Sequence, residues 1–143
     1  KLKKMKVHLK RLNNDFHFVT TNERGDEVHL DNKSVENPQG SSPMDLLLRG
    51  IAGCSGIDIV HILKKQNLEL SNLEMEVEGY RNPDAIPKVF EKIDLQIKLE
   101  GDLPENKARR AVDLSLEKYC SVAKMLEKTA TIAYEVFLNG NKI

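Results

Sequence analysis

The sequence predicts an α+β domain with its elements in the order βββαββαβ, and three patterns predict it. Short apolar/polar alternations fill the first third, two longer runs repeat their apolar residues at helical spacing, and alternation returns between and after those runs. No internal repeat or linker interrupts this order, so residues 1–143 are expected to form one domain.

Residues 5–11, 16–20 and 27–30 read as strands of a meander, separated by Asn13-Asn14-Asp15 and Arg24-Gly25-Asp26. The following loop carries Asn37, Pro38, Gly40, Ser41 and Ser42, a composition suited to the surface. Ser42 then offers an N-cap, Pro43 suits the first helical position, and Asp45 places a carboxylate near the positive helix end. The helix is predicted to run from residue 43 to about residue 66. Beyond a turn around Asn67, Leu73, Met75 and Val77 alternate with acids, and Ile93, Leu95, Ile97 and Leu99 alternate with polar residues. These form an antiparallel hairpin. Pro104 opens a second helix whose Ala108, Ala111, Val112, Ser115, Tyr119, Val122 and Leu126 share one face, and Ile132, Tyr134, Val136 and Leu138 close the chain as a strand.

Charge excludes some functions. Lysine plus arginine and aspartate plus glutamate balance at 22 each, which removes the electrostatic case for a nucleic-acid or anionic-membrane binder. The apolar stretches read as short and broken by charge, and the Lys-rich start is not followed by a secretory apolar region. No membrane span and a cytoplasmic location are therefore expected. In that reducing compartment Cys54 and Cys120 are apolar filler, metal ligands or reactive thiols. Without CxxC spacing or clustered histidines they predict no metal site.

Cys54 lies in Gly50-Ile51-Ala52-Gly53-Cys54-Ser55-Gly56, where each interior glycine costs a helix roughly 0.8–1 kcal/mol relative to alanine. Close approach of another helix, or room for a ligand beside the thiol, would compensate. Asp58 falls one turn beyond Cys54 on the same side, and His61 about 20° from the cysteine direction but roughly 10 Å along the axis. That distance is too great for a base acting on the thiol, so a Cys54–Asp58–His61 hydrolase ranks last and both side chains are read as surface or supporting groups. Cys120 sits among small residues with Lys118 and Lys124 nearby, either of which would lower its pKa if it leaned inward. By itself, each cysteine fits a packed helix seam better than a redox site.

Taken together, Gly40-Ser41-Ser42-Pro43-Met44-Asp45-Leu46-Leu47 through Gly53-Cys54 and the later Tyr119-Cys120-Ser121 resemble the OsmC/Ohr family of hydroperoxide-handling proteins. Ser42-Pro43-Met44, Gly53-Cys54-Ser55 and Ala111-Val112-Asp113-Leu114-Ser115 are similar to its YhfA-like branch. The resemblance implies an OsmC-like fold: an intertwined homodimer with two central cysteine-bearing helices against an antiparallel sheet. It implies a thiol-dependent hydroperoxide reductase of oxidative-stress defence, with Cys54 attacking peroxide and Cys120 resolving to a disulfide. An external dithiol, of lipoyl or thioredoxin type, would reduce that disulfide, and no cofactor is called for.

Other members hold the thiolate with a Glu ten residues before the first cysteine and an Arg from the N-terminal region. Here that position is Met44, leaving Asp45 and Arg24 as the candidates for activation. An unactivated thiol with a pKa near 8.5 is only a few per cent thiolate at neutral pH. Met44, Leu47, Ile51 and Ile57 are the candidates for an apolar substrate pocket at the dimer interface. The competing reading is a weakly catalytic or non-catalytic protein of this fold that binds a small apolar or thiol-reactive ligand there.

Overall fold

A computed structural model describes residues 1–143. They divide into two compact units, Lys1–Leu47 and Leu48–Ile143. The first contains the meander: β1 (Val7–Arg11), β2 (Phe18–Asn22) and β3 (Glu27–Leu30), antiparallel and paired in chain order. Asn13 Oδ1 accepts the N–H groups of Asp15 and His17 at 3.0 and 3.1 Å, closing the first turn. Asn22 Oδ1 closes the second by accepting those of Arg24 and Asp26, and Gly25 takes the positive φ of 92° that this turn requires. The surface loop is organised from beneath by Asp31, a buried carboxylate accepting the Asn32 and Gln39 N–H groups at 2.7 and 2.9 Å. Of the apolar strand residues in this unit only Val19 is buried, while Val7, Leu9 and Val28 remain exposed.

Helix α1 (Pro43–Lys65) begins with the predicted cap, the Asp45 N–H donating to Ser42 Oγ at 3.2 Å. It ends in a Schellman turn: Asn67 adopts φ 58°, and the Asn67 and Leu68 N–H groups return to the Lys64 and Leu63 carbonyls at 3.0 Å each. The expectation that no stretch is apolar enough to span a membrane is corrected here. By length and composition α1 qualifies, with a mean hydropathy of 1.6 over its best window, because Asp45, Lys64 and Lys65 lie near its ends and only Arg49 and Asp58 interrupt the apolar run between them. In the fold it supplies a core stripe, Ile51, Ser55, Ile59 and Leu63, spaced one turn apart.

The second unit holds a four-stranded sheet in the order β4 (Asn72–Arg81), β5 (Phe90–Glu100), β6 (Thr131–Leu138) and β7 (Asn141–Lys142). Alternation divides β5 cleanly: Ile93, Leu95, Ile97 and Leu99 are fully buried, while Lys92, Gln96 and Lys98 are exposed. Burial of each such aliphatic side chain contributes roughly 1.5–3 kcal/mol. The predicted antiparallel sheet holds for β4–β5 and β6–β7, but β6 joins β5 in parallel, from Lys92↔Thr131 to Leu99↔Leu138. A parallel neighbour needs a crossover, and the intervening helices provide it.

Those helices are not the single element expected. Helix α2 (Glu105–Leu114) passes into a π-helical turn (Ser115–Tyr119), Cys120 is extended at φ −69° and ψ 105°, and α3 (Ser121–Leu126) follows. The Cys120 N–H reaches back five residues to the Ser115 carbonyl at 2.7 Å. Ser115 and Cys120 are both fully buried.

Candidate functional site

The break in the second helical segment aims Cys120 at α1. The sulfurs of Cys54 and Cys120 and a carboxylate oxygen of Asp58 all lie within 4.8 Å of one another. Cys54 and Asp58 are one turn apart on α1 and both half-buried, whereas Cys120 is wholly buried. Both cysteines are free thiols.

Hydrogen bonds hold this group in place. The Ser115 hydroxyl faces both Asp58 Oδ2 at 3.2 Å and the Ser55 carbonyl at 3.3 Å. Ser55 donates back to the Ile51 carbonyl at 2.7 Å, keeping its own oxygen inside the helix stripe. Cys120 Sγ accepts the Ala123 N–H at 3.4 Å and so caps α3.

Burial pushes the Cys120 thiol up to about 11; the Ala123 N–H works in the opposite sense, while the Cys54 hydrogen bond and charge and the Asp58 carboxylate add to the rise. No cation appears among these influences. At neutral pH only on the order of one Cys120 in ten thousand is then ionised. Neither neighbouring lysine serves it: Lys118 Nζ lies 5.2 Å from the centre of the Tyr119 ring, and Lys124 pairs with Glu127 at 3.4 Å.

The activation candidates are engaged elsewhere. Arg24 is exposed and pairs with Asp26 at 2.9 Å within its own turn. Asp45 is exposed in the first turn of α1, its N–H taken by Ser42. Met44 is half-buried and Leu47 exposed. Of the other pocket candidates, Ile51 is 0% and Ile57 72% exposed. Six residues place them about 120° apart around the helix. Ile57 instead opens on an apolar groove of about 510 Å³ with Gly53, Gly56, Val60 and Leu73. A second groove, about 520 Å³, reaches Asp58 and is lined by His61, Lys65, Gln66, Leu114 and Tyr119.

The glycines are not crowded by their own chain. A Cβ at Gly50 would lie 3.6 Å from Val122 and one at Gly56 3.7 Å from Met75, both ordinary contacts, and Gly53 faces open space. Asp58 is the member of the site underweighted from sequence, although its one-turn spacing from Cys54 was the available signal. Ser115 was counted with the apolar face of its helix; a hydroxyl on such a face was the clue to its partner. His61 is exposed and stands outside the close trio.

Known proteins share this sequence pattern and this fold. Residues 36–135 match the OsmC-like protein family. Protein YhfA of Escherichia coli (strain K12) is 39% identical over 122 residues, spanning 83% of this chain and 89% of the relative. A solved protein of Aquifex aeolicus VF5 superposes with a TM-score of 0.80 at 33% identity, over 96% of this chain and 99% of the other. The organic hydroperoxide resistance protein OhrB of Bacillus subtilis shares the fold, with a TM-score of 0.66 at 22% identity, over 95% of this chain and 99% of that one. Two cysteine-bearing helical segments brought together in an α+β framework, with sequence similarity across most of the chain, lead to one assignment: the chain belongs to the OsmC-like protein family.

Proposed function

We propose that the chain is a thiol-dependent hydroperoxide reductase of oxidative-stress defence, acting as a cytoplasmic homodimer. The observation that supports this best is the pairing of a half-buried Cys54 with a fully buried Cys120, their sulfurs within 4.8 Å. The accessible sulfur meets the oxidant and the buried one waits for it. The Cys54 thiolate attacks the outer peroxide oxygen, the O–O bond breaks, and the leaving alkoxide takes a proton as alcohol. Cys54 is thereby oxidised to a sulfenic acid. Cys120 then attacks that sulfur and the hydroxyl leaves with the Cys120 proton as water, forming the disulfide. An external dithiol, of lipoyl or thioredoxin type, returns two electrons and two protons.

Organic hydroperoxides are the preferred substrates on this reading, because a largely apolar groove on α1 begins at Gly53, the chain neighbour of Cys54. Kinship with an organic hydroperoxide resistance protein points the same way. The uncovered apolar side of α1, with Ile57 and Val60 exposed beside Gly53, supports a second copy as its partner.

A second reading draws on the electrostatics. A carboxylate close to both sulfurs, with no cation offsetting it at Cys120, favours a slow reductase or a binder of an apolar, thiol-reactive ligand. Stopped-flow oxidation of the reduced, chelator-treated protein by cumene hydroperoxide, with mass spectrometry for a Cys54–Cys120 disulfide, separates the two. The reductase gives a disulfide at a rate well above that of a free thiol, and a rate equal to that of a free thiol rejects it.

A further inference from the structure

Three donors of the kind that hold a thiophilic metal converge at one place. Cys54 and Asp58 project from successive turns of α1, Cys120 comes from the extended break before α3, and their ligand atoms lie within 4.8 Å of one another. A tetrahedral zinc ion, with bonds of about 2.3 Å to sulfur and 2.0–2.2 Å to oxygen, needs donors roughly 3.5–3.8 Å apart. The approach required is therefore about an ångström at most.

The surroundings suit a cation. Asp58 makes no ion pair with any lysine, arginine or histidine, although it is half-buried beside two groups that ionise to anions. Its Oδ2 is instead faced by the Ser115 hydroxyl at 3.2 Å, the kind of outer contact that fixes a ligating carboxylate. Ser115 is itself fully buried, so this support is built into the core. The groove lined by Asp58, His61, Lys65 and Tyr119 gives a route for entry and room for a water molecule as fourth ligand. Two sulfurs and one oxygen select a borderline-soft divalent ion over magnesium or calcium.

We propose that Cys54, Asp58 and Cys120 form a binding site for a zinc-class divalent cation. On binding, each thiol gives its proton to solvent and no electron moves. The bound ion occupies both sulfurs, so the metal-loaded chain and the Cys54–Cys120 disulfide exclude each other. Two-electron oxidation by an organic hydroperoxide, with two protons taken up from solvent, converts the two thiolates to the disulfide, yields alcohol and water, and releases the ion. The site itself does not depend on the reductase reading, because it needs only the reduced protein.

The test is anaerobic titration of the reduced, chelator-stripped chain with cobalt(II), followed by displacement with zinc(II). The expected result is one equivalent per chain, a thiolate-to-cobalt charge-transfer band with tetrahedral ligand-field bands, and loss of both on adding zinc. Cys54→Ser and Cys120→Ser should each remove the two-thiolate spectrum. Asp58→Asn should weaken cobalt binding tenfold or more, and Ser115→Ala by about tenfold. Circular dichroism of each variant establishes that it is folded. A cobalt-bound spectrum without thiolate charge transfer overturns the site, as does full affinity in folded Asp58→Asn. A separate peroxide assay on the stripped protein keeps the two readings apart: no disulfide with an intact cobalt spectrum rejects the reductase alone, and a disulfide without cobalt binding rejects the metal site alone.

Discussion

The two segments that carry the cysteines obey opposite local rules. Helix α1 runs unbroken through Gly50, Gly53 and Gly56, three residues that together cost roughly 2–3 kcal/mol of helix propensity. The second segment has neither glycine nor proline between Glu105 and Leu126, yet it widens at Ser115 and breaks at Cys120. The difference lies in what each segment packs against. The buried side of α1 is a continuous stripe, and its ends are closed by Ser42 and by the turn at Asn67. The second segment must turn the Ser115 hydroxyl toward α1 and the Cys120 sulfur toward Cys54, and an unbroken helix does not present both. Tertiary partners, rather than propensity, decide where the backbone yields.

The largest expected effect comes from removing either sulfur. Cys54→Ser should abolish peroxide-driven disulfide formation and leave only background oxidation. Cys120→Ser should still consume one equivalent of peroxide but accumulate sulfenic and then sulfinic acid on Cys54, seen as mass additions of one and two oxygens. If Cys120→Ser reacts no faster than an unfolded thiol, the assignment of attacking and resolving roles fails.

The next effect in size is on stability at high pH. Cys120 ionises near its ordinary value of 9.0 when unfolded and at about 11 when folded. Its neutral form is thus favoured in the native state, and that stabilisation is complete below about pH 9 and is lost as pH rises through about 11. At 1.36 kcal/mol per unit the loss is about 2–3 kcal/mol. Urea unfolding of the chelator-treated protein between pH 8 and pH 11, compared with Cys120→Ser, should show a steeper fall in the wild type from about pH 9, the variant keeping only the fall above pH 10 that Tyr80 and Tyr134 contribute, since their hydroxyls are also held above their ordinary value in the fold. The same property makes resolution slow at neutral pH: single-turnover disulfide formation should accelerate about tenfold per unit as the Cys120 thiolate becomes available.

Ser115→Ala should cost about 1 kcal/mol in the same measurement, because it deletes a buried hydrogen bond while alanine regains a little helix propensity. Its more telling consequence is local. If the Ser115 hydroxyl holds the widened turn, hydrogen exchange at the Cys120 amide, bonded to the Ser115 carbonyl at 2.7 Å, should accelerate relative to the rest of α2. Unchanged protection would show that backbone packing sustains the break.

Legibility followed the range of the forces involved. The order of strands and helices, the Ser42 cap and the alternation of β5 rest on near neighbours and could be read directly. The parallel pairing of β6 with β5 could not, because alternation in Ile132, Tyr134, Val136 and Leu138 is the same in either direction and only the crossover decides it. The break at Cys120 left no trace either, since the contacts around it, such as that between Ser115 and Asp58, join residues 57 apart in the chain. Within the site, the two cysteines emerged from their joint motif, and Asp58 was visible as a one-turn neighbour of Cys54. Its nearness to Cys120 is set by the packing of two segments far apart in the chain, so spacing supports only its reading as a surface or supporting group.

The smallest effect probes the glycines of α1, where the contrast between the two segments is sharpest. A Cβ at Gly53 meets nothing within 4 Å, and those at Gly50 and Gly56 meet only ordinary contacts. Within one chain Gly53→Ala should therefore stabilise the helix by about 0.5–1 kcal/mol. At concentrations where a second copy lies against the exposed Ile57 and Val60, the added methyl group should instead weaken association. Sedimentation equilibrium across a dilution series, with thermal unfolding at each end, measures both signs. A gain in stability at every concentration would mean that no second backbone approaches Gly53. A gain only in dilute solution would give the glycines of α1 their purpose: they keep the helix thin where another molecule must come close.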